Sequence, residues 1–436
     1  MNKKEFQEIA KKRILYLDGA TGSNLQKRGM PNGVCPEQWI CEHPEVLLGL
    51  QKEYIEAGSD IIYAPTFSAN PIKLKEYGLE KEVERLNREL VAISKKAAAQ
   101  KALVAGDITM TGQQMAPLGT LEFEEVVQAY KEQIAVLADA GVDLLVIETM
   151  MSLNETRAAL IAAKEVCDLA VMVTMTFDES GKTLYGTDAQ TAVNVLQSLG
   201  AAAVGVNCSA GPDKMLPIVE TMKKYASVPL IAKPNAGLPV LLADGTTGYD
   251  MNAEDFATHM QKLIVAGADI VGGCCGTTPE FIEKMKAATQ DLQPASWLFK
   301  QPLLAASERI CLEFTEDIRI GTAINPECDE DYKQELMDDE YDTVLDLTDE
   351  QIDDGAQMIQ ICVDMEGIDT EHAVKEVTGA VSSCTGQPLV FATDSASTLE
   401  AALRNYCGRA VVRIKKEDET LKKVAEKYGA ICMFGY

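Results

Sequence analysis

The sequence predicts an α/β protein: an eight-stranded parallel (β/α)8 barrel followed by a smaller, partial α/β domain. Over the first 290 residues, short apolar runs rich in β-branched residues alternate with amphipathic helical stretches. Several of these stretches end in glycine, which is the residue expected just past a helix C-terminus. Polar residues follow the apolar runs, where the functional groups of such barrels lie.

Eight apolar runs are the predicted barrel strands. They are residues 14–18, 61–66, 102–107, 144–148, 170–176, 203–208, 229–234 and 270–273. Helical patterns lie between them, among them residues 44–57, 79–101, 123–140 and 191–199, and the expected helix-ending glycines are Gly58, Gly141, Gly200 and Gly267. Eight strand–helix units in about 280 residues favour a closed barrel. A doubly wound open sheet is the alternative, because strand count alone does not establish closure.

The alternation breaks in a proline-containing stretch, and residues 291–309 are the predicted linker between domains of residues 1–290 and 310–436. Five more strands are then predicted, at residues 318–324, 358–363, 389–393, 410–414 and 431–434. Five strands are too few to close such a barrel. The second domain is therefore expected to be an open sheet, a unit completed by a partner, or the front part of a longer chain. Its sheet edge makes a homodimer an alternative.

Composition narrows the function classes. The net charge of −27 argues against nucleic acid or an anionic membrane as a main partner. Residues 327–354 hold fourteen acidic residues and only Lys333 as a base, a pattern of a solvated helical face or of a docking surface for a basic partner. No apolar run approaches the ~18 residues of a membrane span, and the chain start lacks a signal-peptide pattern. Twelve irregularly spaced cysteines fit a reducing interior, so a cytoplasmic location is predicted.

The most informative motif is a pair of adjacent cysteines, Cys274 and Cys275, walled in by glycines at the end of the eighth strand. Adjacent strand residues point to opposite faces, so both can reach one point only where the strand ends and the backbone turns. Cys208 ends the sixth strand, on the same rim. Three thiols from two segments are a ligand set for a soft divalent metal, with zinc the first candidate. The alternative is that these cysteines pack as small hydrophobes.

Residues 1–290 resemble the homocysteine S-methyltransferase family, and most closely its cobalamin-dependent members. The likeness lies in residues 18–25 (DGATGSNL), 64–74 (APTFSANPIKL), 205–211 (GVNCSAG), 233–239 (KPNAGLP) and 272–279 (GGCCGTTP). The resemblance implies that Cys208, Cys274 and Cys275 hold zinc as the catalytic centre. It also implies that homocysteine binds with its sulfur on the zinc.

The same resemblance implies further roles. The substrate carboxylate would meet backbone amides around Ala20 and Thr21, in the turn that begins Asp18-Gly19, and its ammonium group would meet Glu148. Asn235 would occupy the fourth zinc position until substrate displaces it. Each residue has a structural alternative: turn chemistry for the segment of residues 18–21 and for Asn235, and an ion pair with a lysine or arginine for Glu148.

The function that follows is methyl transfer onto the homocysteine thiolate, giving methionine. The expected donor is methylcobalamin on a separate corrinoid protein. The alternatives are S-methylmethionine or another sulfonium donor, or a non-catalytic protein that binds zinc and a partner. A closed site with a fourth fixed ligand would favour that last alternative.

Residues 310–436 resemble the opening portion of the pterin-binding domain of the same family members, in residues 320–326, 355–369 and 394–403. Gln360-Ile361-Cys362 stands where that domain usually has Asp-Val-Asn, and Val412-Arg413-Ile414 stands where it has Asn-Ser-Ile. Hydrogen bonding to a pterin ring needs those carboxylate and amide groups. The departures argue against folate binding.

Overall fold

The structure is a computed structural model, and it describes residues 1–241, 247–295, 302–414 and 418–434. The chain divides into two compact units. One unit comprises residues 1–185 and 201–299, and the other comprises residues 186–200 and 300–436. Part of the predicted linker, residues 296–301, lies outside the described residues.

Eight parallel strands form a nearly closed barrel, as predicted, with the order β1-β10-β7-β6-β5-β4-β3-β2. An isolated parallel bridge between Leu17 and Ile61 joins the two ends of this order, which decides against the open doubly wound sheet. The barrel strands are β1 (Leu15–Tyr16), β2 (Ile61–Ala64), β3 (Leu103–Ile108), β4 (Leu144–Met150), β5 (Val171–Met175), β6 (Ala203–Asn207), β7 (Leu230–Lys233) and β10 (Ile270–Val271). The loop after β7 carries a hairpin of β8 (Pro239–Leu241) and β9 (Thr247–Tyr249).

The helices follow the predicted pattern. Within residues 1–289 they are α1 (Lys3–Ala10), α2 (Gly22–Lys27), α3 (Pro36–Glu42), α4 (Pro44–Ala57), α5 (Pro71–Leu74), a 3-10 turn (Lys75–Tyr77), α6 (Val83–Ala98), α7 (Phe123–Asp139), α8 (Leu153–Val166), α9 (Ala189–Leu199), α10 (Pro212–Tyr225), α11 (Ala253–Ala266) and α12 (Pro279–Thr289). The four expected glycines have positive φ, at 108° for Gly58, 82° for Gly141, 118° for Gly200 and 121° for Gly267. Among the described residues, no helix is both long enough and apolar enough to cross a membrane.

The barrel interior is filled by alternate strand residues, because successive side chains of a strand point to opposite faces. Leu15 and Leu17, and likewise Leu144 and Val146, belong to one buried cluster. The cluster also includes Phe6 of α1, so α1 packs against the end of the barrel where the strands begin. The carboxyl ends of the strands are left as the end that can hold a site.

Gly205 of β6 pairs with Ile231 of β7 at a close approach of the two strands. A Cβ atom at Gly205 would lie 2.0 Å from the Ile231 carbonyl oxygen, so the strands would have to move apart. We expect Gly205→Ala to lower the free energy of unfolding by about 1–3 kcal/mol, measured by urea denaturation. The control is Gly49→Ala in α4, where the nearest atom to an added Cβ is 3.9 Å away, and it should maintain or raise stability. Equal stability of the two variants would contradict this account.

The second unit contains a five-stranded parallel sheet with the order β13-β14-β15-β16-β17, the open sheet that the sequence predicts as one of three outcomes. Its strands are β13 (Ile320–Gly321), β14 (Met358–Ile361), β15 (Leu389–Ala392), β16 (Val411–Ile414) and β17 (Ile431–Phe434). Its later helices are α13 (Glu330–Asp338), α14 (Thr343–Asp353), α15 (Thr370–Cys384), α16 (Ala396–Asn405) and α17 (Glu419–Lys427). The acidic stretch of residues 327–354 thus includes α13 and α14.

An antiparallel hairpin of β11 (Leu304–Ala306) and β12 (Cys311–Glu313) precedes this sheet. Residues 304–306 fall in the stretch predicted to be a linker. They form a strand instead, because Ala305 and Ala306 are buried and Ala306 exchanges backbone hydrogen bonds with Arg409. Three residues are too few to show a strand period in the sequence.

Candidate metal and substrate site

Three cysteine sulfurs converge at the carboxyl rim of the barrel. Cys208 directly follows β6, and Cys274 and Cys275 lie shortly after β10. The backbone N–H of Cys208 donates to the Lys233 carbonyl at 3.2 Å and that of Cys274 to the Pro234 carbonyl at 2.7 Å, so the end of β7 fixes both. All three Sγ atoms lie within 4.8 Å of one another, and no other group of three candidate metal ligands occurs among the described residues.

The geometry of this cluster fits a tetrahedral thiolate metal site. Cys208 Sγ and Cys275 Sγ are 3.6 Å apart, and Cys208, Cys274 and Cys275 are not joined by a disulfide. Zinc–sulfur bonds of about 2.3 Å at tetrahedral angles would place sulfurs about 3.8 Å apart. Hydrogen bonds from the Cys208 and Cys274 thiols lower the pKa of Cys275 to about 3, whereas bonds with its two neighbours raise the pKa of Cys208. The donor set is therefore soft and compact.

Two polar side chains lie next to Cys275. The Asn235 Oδ1 atom accepts a hydrogen bond from the Cys275 backbone N–H at 3.1 Å. The Tyr249 side chain, carried by the β8–β9 hairpin, lies close enough to the Cys275 thiol to contribute to the lowering of its pKa. The sequence singled out Asn235 but not Tyr249, which has no motif around it and reaches the cluster only through the fold of the hairpin.

A buried lysine, Lys233, occupies the space between the carboxylates of different strand ends. Its Nζ atom lies 3.8 Å from Glu148 Oε2 and 4.0 Å from Asp18 Oδ1, and all three side chains are under a tenth exposed. It also lies over the Tyr63 ring, 4.8 Å from the centroid. The expected alternative partner of Glu148, a basic side chain, is thus present. Sequence reasoning placed Lys233 at a strand end but gave it no role.

The buried cluster around Lys233 holds more acidic than basic side chains. Burial raises the pKa of Asp18 and of Glu148 to about 7, and Lys233 opposes both shifts. Burial, and then Glu148, raise the pKa of Asp107 well above its usual range. The Oδ1 atoms of Asp18 and Asp107 accept no hydrogen bond among the described residues. Buried acceptors without donors favour a ligand that brings a positive, hydrogen-bonding group.

In the turn that follows β1, the Ala20 amide has a different partner from the substrate carboxylate that the resemblance implies. The Ala20 N–H donates to Thr277 Oγ1 at 3.1 Å, because residue 277 folds back over Gly19 just after the cysteine pair. The Ala20 amide therefore has an acceptor within the protein. Thr21 directly precedes α2, whose first amides have no acceptor inside the helix. Thr277 is a residue that sequence reasoning missed, although it lies within the GGCCGTTP motif.

In the second unit, Gln360 of β14 and Arg413 of β16 meet across the sheet. Arg413 Nη1 donates to Gln360 Oε1 at 2.7 Å. Both residues stand at positions where the sequence departs from the pterin-binding pattern. Their side chains bond to each other instead of presenting a carboxylate and an amide. The expectation against folate binding stays a prediction.

An α/β barrel with three thiols converging at its carboxyl rim, next to a buried acidic pocket, defines a barrel enzyme with a candidate thiolate metal centre. The model of the homocysteine S-methyltransferase family matches residues 15–289. The chain belongs to this family.

Curated relatives include the methionine synthases of Mycobacterium tuberculosis and Mycobacterium leprae, each 27% identical to this chain. Each alignment covers 97% of this chain and 38% of the relative, so the chain spans less than half the length of these proteins. Among solved structures, the metallated homocysteine methyltransferase MmuM from Escherichia coli matches with a TM-score of 0.54 at 24% identity. That match covers 65% of this chain and 98% of the other, and it shows a shared fold.

Proposed function

We propose that this chain transfers a methyl group to the sulfur of homocysteine, giving methionine, and that Cys208, Cys274 and Cys275 hold the zinc ion that the reaction uses. The observation that carries the proposal is the convergence of three sulfurs within 4.8 Å, beside an acidic pocket, in a member of this family. The chemistry that zinc supplies when bound is Lewis acidity, which favours the thiolate form of an aliphatic thiol at neutral pH.

The chain's own residues would orient the substrate. Glu148 and Asp18 share one buried lysine, and Asp18 Oδ1 accepts no hydrogen bond among the described residues, so the substrate ammonium group is their proposed partner. The backbone at Thr21, ahead of α2, is the proposed partner of the substrate carboxylate. Asn235 lies beside Cys275 and is the proposed residue that yields its place to substrate. Together these four residues would orient the substrate sulfur toward an incoming methyl group.

We propose methylcobalamin on a corrinoid protein as the methyl donor. The likeness to methionine synthases supports this donor because it extends over 97% of the chain and so includes the second unit. In the transfer, the new bond forms between the substrate sulfur and the methyl carbon while the bond from the methyl carbon to the donor breaks. The donor keeps that electron pair. A sulfonium donor such as S-methylmethionine would lose its methyl group by the same displacement.

The test combines metal analysis with a donor screen. Purified protein should contain about one zinc per chain, and the zinc absorption edge should change when homocysteine is added, since a fourth position is open to a thiol. Methionine should then form with methylcobalamin, followed by the spectral loss of its cobalt–methyl bond. Methionine formed only with S-methylmethionine would replace the proposed donor. A zinc absorption edge that does not change on adding homocysteine, together with no methionine formation, would refute the proposed enzymatic function and favour a closed structural zinc site.

A further inference from the structure

We propose that Asn207 is a positioning residue that orients Glu148 toward the substrate ammonium group and holds the rim segment that leads into Cys208. This inference rests on the proposed function and adds a residue to it. Asn207 is the last residue of β6 and is 0% exposed, so its side chain does not reach solvent. It is the residue immediately before the candidate ligand Cys208.

The Asn207 side chain uses both ends of its amide on the end of β4, which is separated from β6 by β5. Its Oδ1 atom accepts from the Thr149 backbone N–H at 2.9 Å. Its Nδ2 atom donates to Thr149 Oγ1 at 2.8 Å and to Glu148 Oε2 at 3.4 Å. One acceptor and two donors on a short side chain are a combination that only asparagine supplies at this reach. Aspartate would place a second acceptor against the Glu148 carboxylate.

The two contacts to the Glu148 carboxylate both fall on the same oxygen. Asn207 Nδ2 approaches Oε2 at 3.4 Å, and Lys233 Nζ approaches it at 3.8 Å. The carboxylate is therefore held at Oε2 by an amide and by a buried cation. A carboxylate held in one rotamer binds a cation at lower entropic cost than one that must be ordered on binding.

Strained backbone lies on both sides of this contact. Thr149 has φ of 61° and Cys208 has φ of 52°, the left-handed region that β-branched and other side chains rarely adopt. Such residues persist where the surroundings over-determine them. The bond from the Thr149 N–H to Asn207 holds one of them. The hydroxyls of Thr176 and Ser209 both donate to the Asn207 carbonyl, at 3.1 and 3.2 Å. These bonds hold the peptide group that precedes Cys208.

The test measures binding of two thiols by calorimetry on the zinc-loaded protein. Homocysteine carries the ammonium group, and 4-mercaptobutanoate has the same thiol and carboxylate without it. We expect Asn207→Ala to weaken homocysteine binding by about tenfold. Binding of 4-mercaptobutanoate should change much less. Asn87→Ala is the matched control, because Asn87 is equally buried but bonds to Ala69, Val83 and Gln133.

A double-mutant cycle separates positioning from general loss of structure. If Asn207 acts through Glu148, the effects of Asn207→Ala and Glu148→Gln on homocysteine affinity should not add. Should Asn207→Ala fail to fold, Thr149→Ala, compared with Thr149→Ser, removes the Thr149 Oγ1 acceptor that holds the Asn207 amide group in place. Thr149→Ala should weaken homocysteine selectively, and Thr149→Ser should retain its affinity.

The outcomes distinguish a failure of the role of Asn207 from a failure of the proposed function. If Asn207→Ala weakened the binding of both thiols equally, or if its effect added to that of Glu148→Gln, the role of Asn207 would be overturned. The proposed function would still stand, provided that the wild-type protein binds homocysteine. A wild-type protein that holds zinc and binds neither thiol would overturn the proposed function, and this inference with it. A loss specific to homocysteine supports both.

Discussion

Replacing Cys274 with alanine is expected to abolish zinc retention and methyl transfer together. Cys274 contributes one of three sulfurs within 4.8 Å of one another, and its backbone N–H is held by the Pro234 carbonyl. With two sulfurs left, the site lacks the three protein ligands that an open zinc centre requires. We expect less than a tenth of the wild-type zinc content after dialysis, and a loss of turnover of about a thousandfold or more.

The control for this variant is Cys384→Ala, since Cys384 is an exposed free cysteine at the end of α15. That variant should keep its zinc and its activity. Zinc content is read by elemental analysis and folding by circular dichroism. A Cys274→Ala protein with full activity would refute the mechanism, and one with full zinc content would show that the metal is held elsewhere.

Replacing Lys233 with methionine is expected to cause the largest loss of stability. Lys233 is the buried cation between Asp18 and Glu148, and removing one partner of a buried ion pair typically costs about 3–5 kcal/mol. The loss should be larger at pH 8 than at pH 5. Burial already raises the folded-state pKa of both acids to about 7, and a raised pKa costs stability as the pH rises through it.

Adding Glu148→Gln to Lys233→Met should restore part of this stability, because an amide needs no buried counter-charge. The double variant should not bind homocysteine, because Glu148, the proposed partner of the substrate ammonium group, has been replaced. The surface control is Lys284→Met, which removes an exposed pair with Glu254 and should leave the unfolding midpoint unchanged. Urea denaturation at the two pH values measures all three variants. A Lys233→Met protein as stable as wild type would refute the electrostatic account.

The strand runs and the cysteine motif could be predicted because their signals are local. An apolar run, a glycine after a helix, or two cysteines between glycines is visible within about ten residues of sequence. In a parallel barrel all the carboxyl ends of the strands lie on one rim, which is why the sequence alone could assign Cys208 and Cys274 to one predicted site.

The pairing inside the rim could not be predicted, because it depends on which strand end reaches which neighbour. Lys233 meets Asp18 and Glu148 only after the eight strands form the barrel, because the three residues lie at the ends of strands far apart in sequence. A lysine ending an apolar strand was a usable signal, because a buried charge needs a partner. The bond from the Ala20 amide to Thr277, in contrast, leaves no trace in either segment alone.

The sulfur cluster joins positions 67 residues apart, and β7 must pair with both β6 and β10 before Cys275 meets Cys208. A newly made chain could therefore acquire the proposed zinc ion only after all eight barrel strands have been synthesised and β6, β7 and β10 have paired. Zinc uptake would then report the pairing of these three strands, and a chelator should lower the stability of the finished protein.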